Sequence, residues 1–450
     1  MAMAKSAVKY ACTNCGAFYS SWAGRCTQCG EWNTIQEEIQ TIAVHGAASV
    51  GRKIIPQAID ASRHKDDLRI VTHFAEIDEV LGGGIVEGSV VLLAGQPGIG
   101  KSTLLMQLAG SISKNARVLY VSGEESEHQV AMRAARLGVG GDSLQLAASS
   151  SADDIAVTIQ AKEFDLVIVD SIQTMTVDAV SSAPGSVSQI TNSTNLLLAS
   201  AKKSNVALVV VGHVTKEGSI AGPKVLEHIV DVVMQLEGDS FGGFKLLRAN
   251  KNRFGPTNEA ALLEMTEKGL NPVKNPSAAL LEERQITDGS VVLATIEGTK
   301  PLLVEVQALV NKTSYGYPKR ASSGLDLTRL NLLIAMLERR TKLNLSEYDI
   351  YINIVGGIKL KDPAADLAVC LAIGSAAKGM TLKKNAAVFG EVGLSGEVRH
   401  VGYAEKRISE AKKMGFEIAI GPKQRAAKKS SFLHEVKDVR QALNEFLQAD

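Results

Sequence analysis

The stretch from Val90 to Thr103 constrains this chain more than any other. Val90–Gly95 is a short apolar run with the length of a buried strand, and Gly95-x-x-x-x-Gly100-Lys101-Ser102 follows it directly. That pattern fits a phosphate-binding loop. Small residues at Gly95, Gly98 and Gly100, with Gln96, Pro97 and Ile99 between them, let successive backbone N–H groups converge on phosphate oxygens. Lys101 adds a point charge at the β/γ-phosphates, and Ser102 supplies a hydroxyl for Mg²⁺. A helix opening near Lys101, Ser102 and Thr103 turns its positive end toward the same anion. A chance glycine-rich turn would lack both the strand before it and the Leu104, Leu105, Leu108 run after it. Residues Gly95 to Thr103 therefore read as the seat of a nucleoside triphosphate.

Around this loop the chain has room for two to four domains, because 450 residues exceed what a single core organises. Apolar content of 45% and charged content of 22% describe a globular chain rather than a disordered one. The formal net charge is +1, so any nucleic-acid binding must come from local patches. No apolar run approaches the ~18 residues of a membrane span. The first ten residues lack the apolar core of a secretory signal. Four of the five cysteines fall within eighteen residues in a chain without an export signal, which points to the cytoplasm.

Those four cysteines form two pairs, Cys12-x-x-Cys15 and Cys26-x-x-Cys29, with Gly16 and Gly30 following each second cysteine. Each pair places two thiolates on one tetrahedral ion, and four sulfurs close the shell, so the expected Zn²⁺ is structural rather than catalytic. A module this small cannot bury enough surface to fold alone. Zinc binding, worth ~10–16 kcal/mol in comparable peptides, supplies the difference. Trp22 and Trp32 are either its small core, the plainer reading, or a contact surface.

The zinc module is assigned to residues 1–36 and a linker to 37–65, with a strand around Ile54. A P-loop domain is assigned to 66–270, a second linker to 271–285 with Pro272 and Pro276, and a mixed domain to 286–450. In the P-loop domain strand and helix signals alternate, as a parallel sheet with crossover helices requires. Strands are expected at Arg117–Val121, Leu166–Val169 and Val206–Val211. Helices are expected after the caps Ser126-x-x-Gln129 and Ser151-x-x-Asp154 and at Gln189–Lys203. After Val230 three strands follow closely, Asp231–Leu236, Phe244–Ala249 and Ala260–Met265, which suggests an antiparallel extension. In the last domain, helices are expected at Asp326–Arg339, Ala364–Ala376 and Tyr403–Met414, with Cys370 a core residue.

Polar groups at strand ends mark where ligands bind in open α/β sheets. Asp170, directly after four apolar residues, fits the acidic partner of a Mg²⁺ shell, against the plainer reading of a helix cap. Glu124 or Glu125 is placed to orient and deprotonate an attacking water. Successive strand residues face opposite ways, so only one of the two is expected to do so. His213 ends a strand and is either an ordinary hydrogen-bonding residue or a sensor of the γ-phosphate. In Lys251-Asn-Arg253-Phe-Gly255 two cations lie two residues apart just after a strand, either a solvated basic turn or a finger offered to an adjacent subunit.

Taken together, the zinc pairs, the P-loop, Lys251-Asn-Arg-Phe-Gly255 and the C-terminal part resemble, in that order, the bacterial RadA (Sms) family of recombination and repair proteins. The likeness covers nearly the whole chain, and Lys-Asn-Arg-Phe-Gly is its most specific mark. It implies an N-terminal C4 zinc module, an α/β RecA-type ATPase core and a C-terminal α+β domain similar to the Lon protease domain. It further implies ATP as the nucleotide with Mg²⁺, Glu124 as the catalytic glutamate and His213 as γ-phosphate sensor. Lys251 and Arg253 become trans-acting residues of a hexameric ring. Segments after Asp170 (to about Gln189) and Lys216 to Lys224 fall where RecA-like proteins contact DNA, with Lys216 and Lys224 as phosphate partners. The implied activity is a DNA-dependent ATPase that moves on single-stranded DNA, drives branch migration of branched intermediates and works alongside the RecA recombinase.

The Lon-like part departs from its pattern at two places. In Lys361-Asp362-Pro363-Ala364-Ala365 an alanine stands where the Lon stretch carries its serine, and Glu405 stands where the lysine belongs. A Ser-Lys dyad needs both groups, so no peptide cleavage is expected. Lys319, Arg320, Arg329 and Lys359 are candidates for a positive surface. An ATP-dependent peptidase or its regulator, and a nucleotide-switch scaffold, are the competing readings.

Overall fold

The computed structural model describes residues 9–12, 17–19, 21–41, 49–52, 69–213, 225–238, 243–314, 316–424 and 431–448. The chain divides into two compact units, Met1–Asp66 and Asp67–Asp450.

The first unit is built on a four-stranded antiparallel sheet in the order β2-β1-β3-β4, from β1 (Lys9–Cys12), β2 (Phe18–Tyr19), β3 (Ile35–Thr41) and β4 (Ser49–Arg52). Strands β3 and β4 occupy part of the stretch expected to be a linker, so that reading is corrected: Glu38 pairs with Arg52 and the sheet continues past residue 36. Ile54 lies outside the described residues. Trp22 and Trp32 also differ from the plainer reading, being 61% and 67% exposed. Among the described residues the buried cluster is Cys12, Cys26 and Ile35, with Tyr10 and Tyr19 packed against it. Arg25 instead stacks over Trp32, 5.6 Å from the ring centre.

In the second unit a hairpin of β5 (Arg69–Ile70) and β6 (Ile85–Val86) brackets α1 (Ala75–Leu81) and leads into β7 (Val90–Gly95). The strands β8 (Val118–Ser122), β9 (Leu144–Ala148), β10 (Leu166–Asp170), β11 (Ala207–His213) and β12 (Val232–Glu237) run parallel with β7. The strands β13 (Phe244–Asn252), β14 (Ala260–Thr266) and β15 (Gly269–Pro272) add an antiparallel edge, giving the order β15-β14-β13-β12-β7-β11-β10-β8-β9. Every residue of β7 is buried, and its side chains alternate as strand geometry demands. Val91 and Leu93 pack on the face of α2 (Lys101–Ile112), whereas Val90, Leu92 and Ala94 join the opposite core with α4 (Ala152–Ala161) and α5 (Val187–Ser204). Each of these valines and leucines contributes roughly 1.5–3 kcal/mol by leaving water, so the central strand is held firmly under the loop it carries. The capping box of α3 (Glu127–Arg136) forms as expected, with Ser126 and Gln129 each accepting from the other's backbone.

The stretch 271–285 is not a plain linker. It begins on β15 and contains α7 (Pro276–Leu281), capped by Asn275 with Pro276 in the first turn and Leu280 buried. A proline that reads as a breaker is tolerated at that position because its missing N–H would have no helical partner. Beyond it a seven-stranded mixed sheet has the order β18-β19-β17-β16-β21-β24-β25. Its members are β16 (Ser290–Glu297), β17 (Lys300–Lys312), β18 (Arg320–Ser323), β19 (Tyr348–Ile354), β21 (Ala386–Val388), β24 (Ile418–Pro422) and β25 (Leu433–Val436). Short pairs β20 (Thr381–Leu382) with β26 (Leu447–Gln448) and β22 (Glu391–Val392) with β23 (Val398–Arg399) trim its margins. Helix α9 (Ala365–Lys378) is buried all round from Ala365 to Ser375, Cys370 included, while α8 (Leu327–Thr341), α10 (Ala404–Lys413) and α11 (Val439–Phe446) flank the sheet.

Candidate functional site

At the carboxyl end of β7 the loop turns through Gly98 and Gly100, both with positive φ, and enters α2 at Lys101. Gly100 has φ +113°, a conformation that side chains rarely adopt, and a Cβ there would also press on Met265 Cε at 2.7 Å. No side chain caps α2, which leaves its first N–H groups for an anion. Lys101 Nζ donates to the carbonyls of Gly95 (2.9 Å) and Gln96 (3.0 Å) and lies 3.1 Å from His213 Nδ1. Burial pulls the Lys101 ammonium down to about 8, with the Asp170 and Glu124 carboxylates acting the other way.

These groups face one cleft of about 380 Å³, within the range of ordinary ligand sites. Pro97 to Thr103, Glu124, Asp170 and His213 line it, although Ile99 turns into the core. Asp170 ends β10 and caps no helix: its Oδ2 accepts from the Tyr120 hydroxyl at 2.6 Å. Burial, followed by Asp170, pushes the Tyr120 phenol well above its ordinary range, so it stays a donor. The two adjacent glutamates follow the end of β8 in a bend rather than on the strand, so alternation does not apply to them, and they take different partners. Glu124 accepts from Ser171 Oγ and lies 3.5 Å from His213 Nε2, whereas Glu125 pairs with Arg133 at 2.5 Å. Ser122, Glu125 and Arg133 also line the cleft. Arg133 escaped the sequence reading because a helix arginine usually belongs to a solvated face, and only its distance from Glu125 marks it.

Lys251 and Arg253 lie elsewhere. Both approach the turn between α6 (Val225–Ile229) and β12: Lys251 Nζ donates to the carbonyls of Glu227 (2.8 Å), His228 (3.2 Å) and Val230 (2.7 Å). Arg253 pairs with Asp231 at 2.9 Å, and its side chain is 50% exposed. Asp231, only 2% exposed, also accepts from Lys202 (3.0 Å) and from the N–H of Val90 at 3.1 Å. Val90 starts β7 and Gly95 ends it, so Arg253 sits at the opposite end of that strand from the cleft, ~17 Å away at strand rise. The motif's other residues hold this corner together. Asn252 donates to the Leu81 carbonyl and accepts from the Phe254 N–H, and Arg69 donates to the Phe254 carbonyl. Gly255 packs so tightly that a Cβ there would come 2.9 Å from Gly82 Cα.

Of the expected DNA-contacting segments, Lys216 and Lys224 lie outside the described residues. The other runs from Ser171 to Gln189, where the buried Gln189 amide donates to Val180 (2.8 Å) and Ser182 (3.0 Å) and pins the loop. Arg329 and Arg320 do not form an open positive face. Arg329 is paired with Asp366, and Arg320 donates to the Tyr348 and Leu345 carbonyls.

The sulfurs of Cys12, Cys26 and Cys29 lie within 4.8 Å of one another; Cys15 is outside the described residues. The 3.6 Å between Cys12 and Cys29 is far longer than the ~2.05 Å of a disulfide. Hydrogen bonds from the Tyr19 hydroxyl and the Cys29 N–H draw the Cys26 thiol down to about 5. Three converging soft sulfur donors fit zinc.

The family described as rubredoxin metal binding domain matches residues 10–37, the AAA domain matches 60–219, and subunit ChlI of Mg-chelatase matches 333–425. A DNA repair protein RadA from Brucella abortus is 45% identical over 433 residues, covering 93% of this chain and 92% of that one. The Pseudomonas aeruginosa DNA repair protein RadA is 45% identical with 95% of each chain covered. The chain belongs to the RadA family. With that family come its parts in order: an N-terminal zinc ribbon, a RecA-type P-loop ATPase core and a C-terminal Lon-protease-like domain. The crystal structure of the RadB recombinase aligns with 46% of this chain at 22% identity and a TM-score of 0.37, and the RadA assignment does not rest on it. Among the described residues no helix is long and apolar enough to cross a membrane.

Proposed function

We propose that this RadA-family chain is a DNA-dependent ATP hydrolase of recombination and repair, acting as a cytoplasmic ring motor on single-stranded and branched DNA. The observation that carries the reading is the separation of two half-sites. Lys101, Glu124, Asp170 and His213 gather at the carboxyl ends of the parallel strands, and Arg253 stands half-exposed at their amino ends. A cation so placed cannot serve its own cleft, but a head-to-tail neighbour brings one end against the other. A closed ring, taken as hexameric from the family resemblance, repeats that contact at every interface.

In the complete site Lys101 and the N-terminus of α2 bind the β/γ-phosphates. Ser102 and Asp170 would hold Mg²⁺, which neutralises phosphate charge when bound. Glu124 orients the attacking water and takes its proton; Ser171 and His213 hold the carboxylate in place. His213 links Lys101 to Glu124, so loss of the γ-phosphate is felt at the end of β11; Lys216 and Lys224, later in the sequence, are kept as phosphate contacts to DNA on the family resemblance. Arg253, from the neighbour, stabilises charge in the transition state. Lys251 spends all three of its N–H donors on carbonyls of its own chain, so its part in a shared site begins with fixing the α6–β12 turn, where Arg253 pairs with Asp231. Translocation with branch migration, and cooperation with the RecA recombinase, follow from the family resemblance. Cys12, Cys15, Cys26 and Cys29 would hold Zn²⁺, cross-linking a module whose apolar core is small.

A peptidase reading meets a buried Ala364 and an exposed Glu405, and Asp362 beside them is committed to Arg407 at 2.7 Å. The test is ATP hydrolysis by the purified protein with and without single-stranded DNA at low salt. Stimulation by DNA supports the motor; equal rates overturn it.

A further inference from the structure

Two adjacent acidic residues, Glu124 and Glu125, line one nucleotide cleft, and something must keep them from sharing one task. We propose that Arg133 is a positioning residue of this site: by clamping Glu125 it leaves Glu124 as the one carboxylate of the pair that faces the attacking water. The proposal rests on the reading of Glu124 as the base and goes beyond it to what selects that residue.

The geometry supports a clamp. Glu125 Oε1 is 2.5 Å from Arg133 Nη2, while the Glu125 N–H donates to Ser122 Oγ at 3.0 Å. Ser126, the next residue, closes the capping box of α3, so the helix that carries Arg133 is locked immediately beside the residue it holds. Long side chains on a helix lean toward its N-terminus, which brings Arg133 back over Glu125. The guanidinium is largely buried, and its Nη1 makes no hydrogen bond among the described residues. Glu125 is the acidic group that fixes it, and Tyr120 and Asp170 lie within its field.

The charges around Glu124 show what release would do. Lys101 on α2, His213 on β11 and Asp170 on β10 face the same cleft, with Tyr120 on β8 behind Asp170. Freed from Arg133, Glu125 adds a second carboxylate to that space. A like charge at close range raises the pKa of its neighbour, and a protonated Glu124 cannot accept a proton from water. An ordinary salt bridge that merely steadies α3 would weaken the fold without moving the pH profile of turnover.

The experiment measures kcat and KM for ATP from pH 5 to 9 in the full-length protein carrying Arg133→Ala, Arg133→Lys, Glu125→Gln, Glu124→Gln or Arg133→Ala with Glu125→Gln. Arg133→Ala should lower kcat at pH 7 about tenfold with KM within about twofold, and move the acid limb of kcat up by about one pH unit. Arg133→Lys should restore part of the rate. Glu125→Gln should keep the wild-type acid limb, and combining it with Arg133→Ala should return the limb to the wild-type position. If Arg133→Ala misfolds, Glu125→Gln alone still decides, because a loss as deep as that of Glu124→Gln refutes the clamp. An unmoved acid limb in Arg133→Ala, or a double variant no different from it, overturns the proposal while leaving Glu124 as base. Full turnover in Glu124→Gln overturns the parent reading and the proposal together.

Discussion

Raising the pH through about 8 should strip the protein of the charge that Lys101 offers to phosphate. Burial holds that ammonium down to about 8 where the ordinary value is 10.5. An anionic phosphate beside it favours the charged form, so the bound protein keeps its proton to higher pH than the free one. Affinity is therefore full well below pH 8 and falls as the pH rises through the free-state value. With a pKa near 8 about nine-tenths of free molecules carry the charge at pH 7 and about one-tenth at pH 9, so the Kd for Mg²⁺-nucleotide should rise roughly tenfold between them. The assay is a fluorescence titration with a labelled ADP at fixed Mg²⁺ and ionic strength, at pH 7, 8 and 9. Lys101→Arg provides the control. A guanidinium does not titrate in this range, so that variant should bind weakly at pH 7 and lose the slope. A wild-type Kd constant within about twofold from pH 7 to 9 would refute the reasoning, since Lys101 would then either stay charged or contribute nothing to binding.

Three other substitutions probe separate parts of the structure. Cys26→Ser should drop a zinc content of about one per chain, measured by plasma emission spectrometry, and abolish the folded signature of the first unit; an unchanged content would refute the metal assignment. Gly255→Ala must push on Gly82 Cα from 2.9 Å, so urea unfolding should show a loss of about 1–3 kcal/mol; a loss below about 0.5 kcal/mol would show that this corner yields freely. Arg253→Ala should lower kcat roughly 10³-fold while leaving nucleotide binding by an isolated subunit unchanged. Equal losses in both would make Arg253 a local structural residue paired with Asp231.

Much of the nucleotide cleft was legible because its signals are local. The apolar run Val90–Gly95, the glycines behind it and Asp170 at the end of β10 each declare themselves within a few residues. Glu124 and Glu125 stand in a bend past β8, so their different partners do not come from strand alternation, and Lys251 and Arg253, expected to point to a neighbouring surface, both meet the α6–β12 turn of their own chain. Less local features stayed hidden. Asp231 looked like the first residue of a strand, yet it reaches the start of β7 across 141 residues of chain and also pairs with Lys202 of α5 and with Arg253. Arg133 carried no local mark, because its partner Glu125 stands eight residues earlier, outside the helix. The strand pair β3–β4 and helix α7 were missed because polar residues and prolines read as linkers, whereas sheet pairing and first-turn placement suit them. For Trp22 and Trp32 the core was the plainer reading, but both are exposed and the buried cluster of that small module is Cys12, Cys26 and Ile35.

Mixing two inactive variants tests the shared site most directly. Lys101→Ala subunits cannot hold the phosphates but still present Arg253, and Arg253→Ala subunits bind nucleotide but offer no finger. Combined in equal amounts with single-stranded DNA, they should regain ATP turnover at about a quarter of wild-type, the fraction of interfaces that pair an intact cleft with an intact finger. A mixture that never exceeds the two variants measured apart would mean that each chain completes its own site.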